Sequence, residues 1–146
     1  MVCPYTPSLI NDVIRYVFDS DTFWPLGWTA GGLPMAGCKE EIPGYAGKNF
    51  LFTTEITYYF SYTGTEYFDF NGDDDVWVFI NGKLALDLGG IHSALGADLD
   101  VSLQEAYLGL EVTQPPTNYK MSIFHAERQT GGSNFRTSDG SSMTHR

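Results

Sequence analysis

The sequence predicts an all-β fold, an antiparallel sandwich or barrel. Three observations carry that expectation. Aromatic residues make up 15% of the chain, and large flat side chains suit pleated surfaces. Sixteen Gly and seven Pro supply the turns that many short strands require. Apolar and polar residues alternate with a period of two in several segments, and no helix–strand alternation signals a parallel sheet. At 146 residues the chain has the size of one domain. A chain of this length buries roughly 68–70% of its unfolded surface, so it needs neither a metal nor a disulfide merely to fold. One domain is expected over residues 1–146, with its core at about 20–137 and a polar tail at 138–146.

Residues 8–18 fit two readings. Leu9, Val13, Tyr16 and Val17 form a helical stripe after Ser8, whereas the β-branched content favours a strand. Residues 19–49, with Pro25, Pro34, Pro43 and many glycines, read as long loops. From Glu55 the chain alternates, with Ile56, Tyr58, Phe60 and Tyr62 facing one way and Glu55, Thr57, Tyr59 and Ser61 the other. That is the pattern of a half-buried antiparallel strand. Thr63-Gly64 ends it, and Thr65 to Phe70 reads as the next strand. After Asn71-Gly72 and three aspartates, Val76 to Ile80 is a continuous β-branched and aromatic run, predicted as an inner strand buried on both faces. Asn81-Gly82 tolerates the positive φ of a type I′ turn, so Lys83 to Leu88 is the returning hairpin strand. Leu99 to Leu103 reads as a short strand, Gln114 to Thr117 as a loop, Tyr119 to Glu127 as an alternating strand and Asn134 to Thr137 as the last one. At most one short helix is expected.

Net charge is −10, from 8 Lys and Arg against 18 Asp and Glu. A nucleic-acid binder needs a basic footprint, which this chain lacks, and an anionic membrane surface repels it. No run approaches the ~20 apolar residues of a membrane helix, so no membrane insertion is expected. Cys3 and Cys38 fit a disulfide and two free thiols equally well. The chain has no His-Glu-x-x-His, Gly-x-Ser-x-Gly or P-loop pattern, and the expectation is a binding module and not an enzyme.

The informative segment is Asp73-Asp74-Asp75. Three adjacent carboxylates cost little in water, but much more where strands and loops exclude it. A divalent cation removes that cost, and Ca²⁺ prefers 6–8 oxygen ligands from carboxylates and carbonyls. The spacing is not that of an EF-hand. A loop starting at Asp69 has Asp74 where Gly is required and Ile80 where Glu is required. In an extended chain Asp73 and Asp75 point one way and Asp74 the other, so two neighbours meet on one ion only if the backbone is distorted. A cis peptide is one route to that distortion. The alternative is an acidic turn closed by local side-chain hydrogen bonds.

Several segments together resemble the fibro-slime domain family, a branch of the PA14 β-sandwich group. They are Asn49-Phe-Leu-Phe-Thr-Thr-Glu-Ile56, Phe70-Asn-Gly-Asp-Asp-Asp-Val-Trp-Val-Phe-Ile-Asn-Gly-Lys-Leu84, Asp87-Leu-Gly-Gly-Ile-His92, Ile123-Phe-His-Ala-Glu-Arg128 and Ser133-Asn-Phe-Arg136. The likeness runs from about Phe23 to Thr137. It implies a secreted or cell-surface PA14-like sandwich in a larger multidomain protein, with a glycan or cell-surface polysaccharide as partner. In carbohydrate-binding PA14 members, two adjacent aspartates joined by a cis peptide hold Ca²⁺, and sugar hydroxyls complete its coordination. Matched through Val76–Gly82, that pair is Asp73 and Asp74. Asp75 stands where many members carry Gly. The later loop that supplies further ligands is Glu127 to Asn134, which makes Gln129, Gly131 and Asn134 the remaining candidate Ca²⁺ ligands. Asp75, His92, Glu127 and Arg128 are the candidate sugar contacts. Glu127 and Arg128 are equally open to a mutual ion pair, and His125, Trp77, Phe79 and Phe124 read as packed strand residues.

Overall fold

The computed structural model describes residues 6–10, 13–20, 23–24, 50–129 and 132–138. Cys3, Cys38, Gly131 and most of the loop expected at 19–49 lie outside the described residues. The described strands are β1 (Thr6–Ile10), β2 (Val13–Ser20), β3 (Phe52–Ser61), β4 (Tyr67–Gly72), β5 (Asp75–Ile80), β6 (Lys83–Leu88), β7 (Leu95–Asp100), β8 (Asn118–Glu127) and β9 (Phe135–Ser138). They form a five-stranded sheet in the order β1-β2-β9-β4-β7 and a four-stranded sheet in the order β3-β8-β5-β6. Each pairing is antiparallel. The fold is the expected all-β sandwich.

The alternation read from the sequence decides what faces inward. Phe68, Phe70, Leu99 and Phe135 of one sheet meet Phe52, Phe60, Val76, Val78, Ile80, Met121 and Ile123 of the other in one buried cluster. Each such side chain removed from water contributes on the order of 1.5–3 kcal/mol. β8 is the longest organiser, pairing with β3 over its whole length and with β5 on its other side.

Three sequence expectations change, and one reading left open is decided. The segment at 8–18 is part of the β1–β2 hairpin and not a helix, so its β-branched content outweighs its helical stripe. The strand expected at Leu99–Leu103 is β7 and stops at Asp100, whose carboxylate accepts from Ser102 N at 3.0 Å and starts a 3₁₀ turn. A short helix α1 (Glu105–Leu108) follows and ends on Gly109 at φ 69°. β5 is central in its sheet, but only one of its faces is buried. Trp77 and Phe79 stand half-buried on the other face, where Phe124 of β8 packs against Phe79. Ser138, expected to open the polar tail, is instead a fully buried residue of β9, paired with Val17 and Asp69. The hairpin turn is as expected, with Asn81 at φ 51° and Gly82 at φ 75°.

The topology also explains where a site forms. Of the chain's changes of sheet, three bear on the site, between β4 and β5, between β6 and β7, and between β8 and β9. Gly72 pairs with Phe135 while Asp75 pairs with Ala126, so the first and third crossings lie side by side at one end of the sandwich.

Candidate metal and ligand site

Three crossing segments meet around one open cavity of about 390 Å³. Asp73 and Asp74 come from the first crossing, His92, Ser93 and Ala94 from the second, and Glu127, Gln129, Gly132 and Asn134 from the third. Asp73, Asp74 and Asp75 are 8%, 1% and 2% exposed, so the run is not a solvated acidic turn. Among the described residues, the cis peptide bond falls at Gln114–Pro115 and not between Asp73 and Asp74. The distortion takes another form. Asp74 sits in the left-handed region at φ 58°, which Asp tolerates better than most residues and which turns its side chain out of the extended alternation.

The three carboxylates are engaged differently. Asp73 Oδ1 accepts from Asn134 N at 2.5 Å and Oδ2 from Asn134 Nδ2 at 2.9 Å, which ties the first crossing to the third. Gly132 lies so close that a Cβ there meets Asp73 Oδ2 at 3.4 Å. Asp74 Oδ2 accepts from Arg128 N at 2.6 Å, while Oδ1 is buried and has no hydrogen-bond partner. Asp75 Oδ1 accepts from Gly90 N and from Arg128 Nη2, each at 2.6 Å, and Oδ2 lies 2.5 Å from Arg128 Nε. Asp75 and Arg128 therefore form a bidentate pair, and neither lines the cavity. Their place is to clamp the second and third crossings to the start of β5. Arg128 pairs with Asp75 and not with Glu127, whose side chain faces inward from the end of β8.

Glu127 is 2% exposed. Its Oε1 accepts from Gln129 N at 3.1 Å, and Oε2 is buried without a partner. Burial, and then the Asp74 carboxylate beside it, push its pKa from 4.5 up to about 7. His125 lies two residues earlier on the same inward face of β8. It is 1% exposed and packed among Phe23, Phe52 and Phe135, with ring centroids 5.7, 5.7 and 5.1 Å away. The Asp73 backbone faces the ring, but neither ring nitrogen makes a well-formed hydrogen bond. Burial lowers its pKa below 6.5, and the Asp73 carboxylate pulls it the other way. The packing matches the sequence expectation.

His92 lies on the wall of the cavity, yet both of its ring nitrogens serve its own loop. Nδ1 faces Ser93 O at 2.9 Å and Nε2 faces Leu88 O at 3.0 Å. Two carbonyl acceptors call for two N–H donors, and the Leu88 carbonyl is the main cause of its raised pKa. Its backbone carbonyl also accepts from Asp74 N at 3.4 Å.

The ligand atoms of Asp73, His125 and Glu127 lie within 4.8 Å of one another. Of the expected cation ligands, Asp73, Asp74, Gln129 and Asn134 line the cavity, and Glu127, expected as a sugar contact, stands beside them. The residue missed as a candidate ligand is His125. Its signal was the His-x-Glu spacing at the end of an alternating strand, which puts both side chains on one face.

Fold and cavity together define a β-sandwich module with an acidic site where its chain crossings meet. A family model described as the PA14 domain matches residues 36–144, and the chain belongs to the PA14 domain family. That family consists of carbohydrate-binding and adhesion-type modules. Similar proteins come from Dictyostelium discoideum. Protein psiD is 41% identical over 118 residues, covering 81% of this chain and 22% of psiD. Protein psiB is 38% identical, covering 83% of this chain and 20% of psiB. Protein psiP is 46% identical over 90 residues, covering 62% of this chain and 11% of psiP. The chain thus spans about a fifth of the length of psiD and psiB. No solved structure matches it. Among the described residues no helix is long and apolar enough to cross a membrane.

Proposed function

We propose that this chain is a Ca²⁺-dependent carbohydrate-binding module of the fibro-slime branch, acting in adhesion outside the cell as part of a larger multidomain protein. In this reading Asp73, Asp74 and Glu127 supply carboxylate oxygens, and Gln129, Gly131 and Asn134 add oxygens from the third crossing. The module binds and does not catalyse. One observation supports this reading above the others. Asp74 Oδ1 and Glu127 Oε2 are buried acceptors without donors, in a cavity that opens to solvent. A buried unpaired acceptor costs about 1–3 kcal/mol, and more when charged, so two of them side by side are relieved by a proton on Glu127 or by a cation. The donor set is rich in oxygen and fits Ca²⁺. Bound there, the ion supplies open coordination positions for vicinal hydroxyls. His92, Ser93 and Ala94 form the wall that a sugar meets first.

Calorimetry of EDTA-stripped protein tests the first step. Ca²⁺ gives a one-site isotherm in wild type and none in Asp74→Asn, a variant that keeps the shape and tolerates the positive φ. No heat in wild type, or an unchanged isotherm in the variant, overturns the reading.

A second reading has its own observation. Asp73 and Asp74 already hold Asn134 and Arg128 N, so an ion here also locks the first and third crossings together. In that case the domain is a structural or protein-interaction unit. A glycan array that stays silent in Ca²⁺, with a melting temperature that still depends on Ca²⁺, selects it.

A further inference from the structure

We infer that the cation site contains a nitrogen ligand, His125, and that Asp73, His125 and Glu127 together bind a transition-metal ion of the Zn²⁺ class in preference to Ca²⁺. The inference rests on the reading that this cavity holds a divalent cation, and it narrows which ion and which residues.

The three ligand atoms converge from two segments, the first crossing and the end of β8. His125 and Glu127 are two residues apart on one strand face, so the sheet itself holds both toward the same point. A ligand set on a strand is better fixed than one on loops. Both His125 ring nitrogens and Glu127 Oε2 are buried and lack a well-formed hydrogen bond, and one ion takes up Oε2 together with one ring nitrogen, while the Asp73 backbone also faces the ring. Phe23, Phe52 and Phe135 pack against the imidazole and limit its rotation.

Distances are compatible. Tetrahedral ligands at Zn–N and Zn–O bonds of ~2.1 Å stand about 3.4 Å apart. The observed atoms lie within 4.8 Å of one another, so each moves by about an ångström or less, within the range of side-chain adjustment. Chemistry decides the selectivity. Ca²⁺ is hard and takes oxygen, whereas imidazole suits Zn²⁺ and its neighbours in the first transition row. Three protein ligands of the His and carboxylate type leave a fourth position, and two of the three, Asp73 and Glu127, line the open cavity. Asp74 is outside the set of three, and its carboxylate stays beside Glu127 as a further negative charge.

The test compares Zn²⁺ and Ca²⁺ titrations of EDTA-stripped full-length chain by calorimetry. Wild type should bind Zn²⁺ tighter than Ca²⁺ by about tenfold or more. His125→Phe, which fits the surrounding aromatic packing, should collapse that ratio by a similar factor. Ring ¹⁵N resonances of wild type supply a measurement that needs no variant. Those of His125 should move on adding Zn²⁺, and those of His92 should not. An equal or inverted preference in wild type, an unchanged ratio in His125→Phe, or an unmoved His125 ring overturns the inference. Ca²⁺ binding that persists with any of these results leaves the oxygen-ligand reading standing alone. Failure of both ions to bind overturns both readings.

Discussion

Glu127 and His125 show how two residues on one strand face set opposite pH responses. Burial and the Asp74 carboxylate raise the Glu127 pKa, so its protonated form is favoured by folding. The stability it contributes is full below pH 4.5 and is lost as pH rises through about 7. His125 has the reverse sign. Its lowered pKa contributes stability that is present above pH 6.5 and lost as pH falls. The two slopes partly cancel in wild type, so a difference measurement is needed. In urea denaturation with EDTA, wild-type stability minus that of Glu127→Gln should fall steadily between pH 4.5 and 7. A difference that stays level across that window contradicts a raised Glu127 pKa. The adjacent pair Asp75 and Arg128 has another part. With both Asp75 oxygens bonded, these residues hold the crossings in place and leave the cavity to Asp73, Asp74 and Glu127.

Among the elements, the β5–β6 hairpin shows how much local sequence decides. Asn81 and Gly82 both carry positive φ, as a two-residue I′ turn requires. Asn81 Nδ2 also donates to Leu108 O at 3.0 Å, which anchors the turn to the end of α1. A Cβ at Gly82 meets nothing within 4 Å, so Gly82→Ala carries only the backbone penalty. Thermal denaturation of Gly82→Ala should show a loss of about 1 kcal/mol, and a stability equal to wild type means that the turn type is wrong. The outer face of the same sheet was harder to read. Trp77, Phe79 and Phe124 alternate with core residues, but a continuous apolar run does not say which of its faces enters the core. Glu66 was also passed over. It is 2% exposed and takes hydrogen bonds from Thr63 N, Thr63 Oγ1, Gly64 N and Thr65 N, closing the turn that the sequence marked only as Thr63-Gly64.

At the scale of the molecule, the cavity exists because three sheet changes occur at one end. A cation there ties together segments distant in sequence, so it binds the native state and not the unfolded chain. Linkage gives a stabilisation of about 2.7 kcal/mol when the free ion is a hundredfold above its dissociation constant. The melting temperature should rise on adding Ca²⁺ or Zn²⁺ to stripped protein and fall back with EDTA. A melting temperature indifferent to both ions contradicts a cation site in this cavity.

What the sequence determined by itself is local. The period of two in β3 and β8, the apolar run of β5 and the Asn81-Gly82 turn are set by neighbours within a few residues, and all of them are present. The acidic run was legible as a cation candidate for the same reason, since adjacent carboxylates repel wherever they lie. Only the tertiary structure decided that Asp75 belongs to Arg128, that Asp74 turns through a left-handed residue and that His125 stands with Asp73 and Glu127. Those outcomes depend on which strands pair across the two crossings. That pairing follows from burial of the whole core, which short-range pattern does not encode.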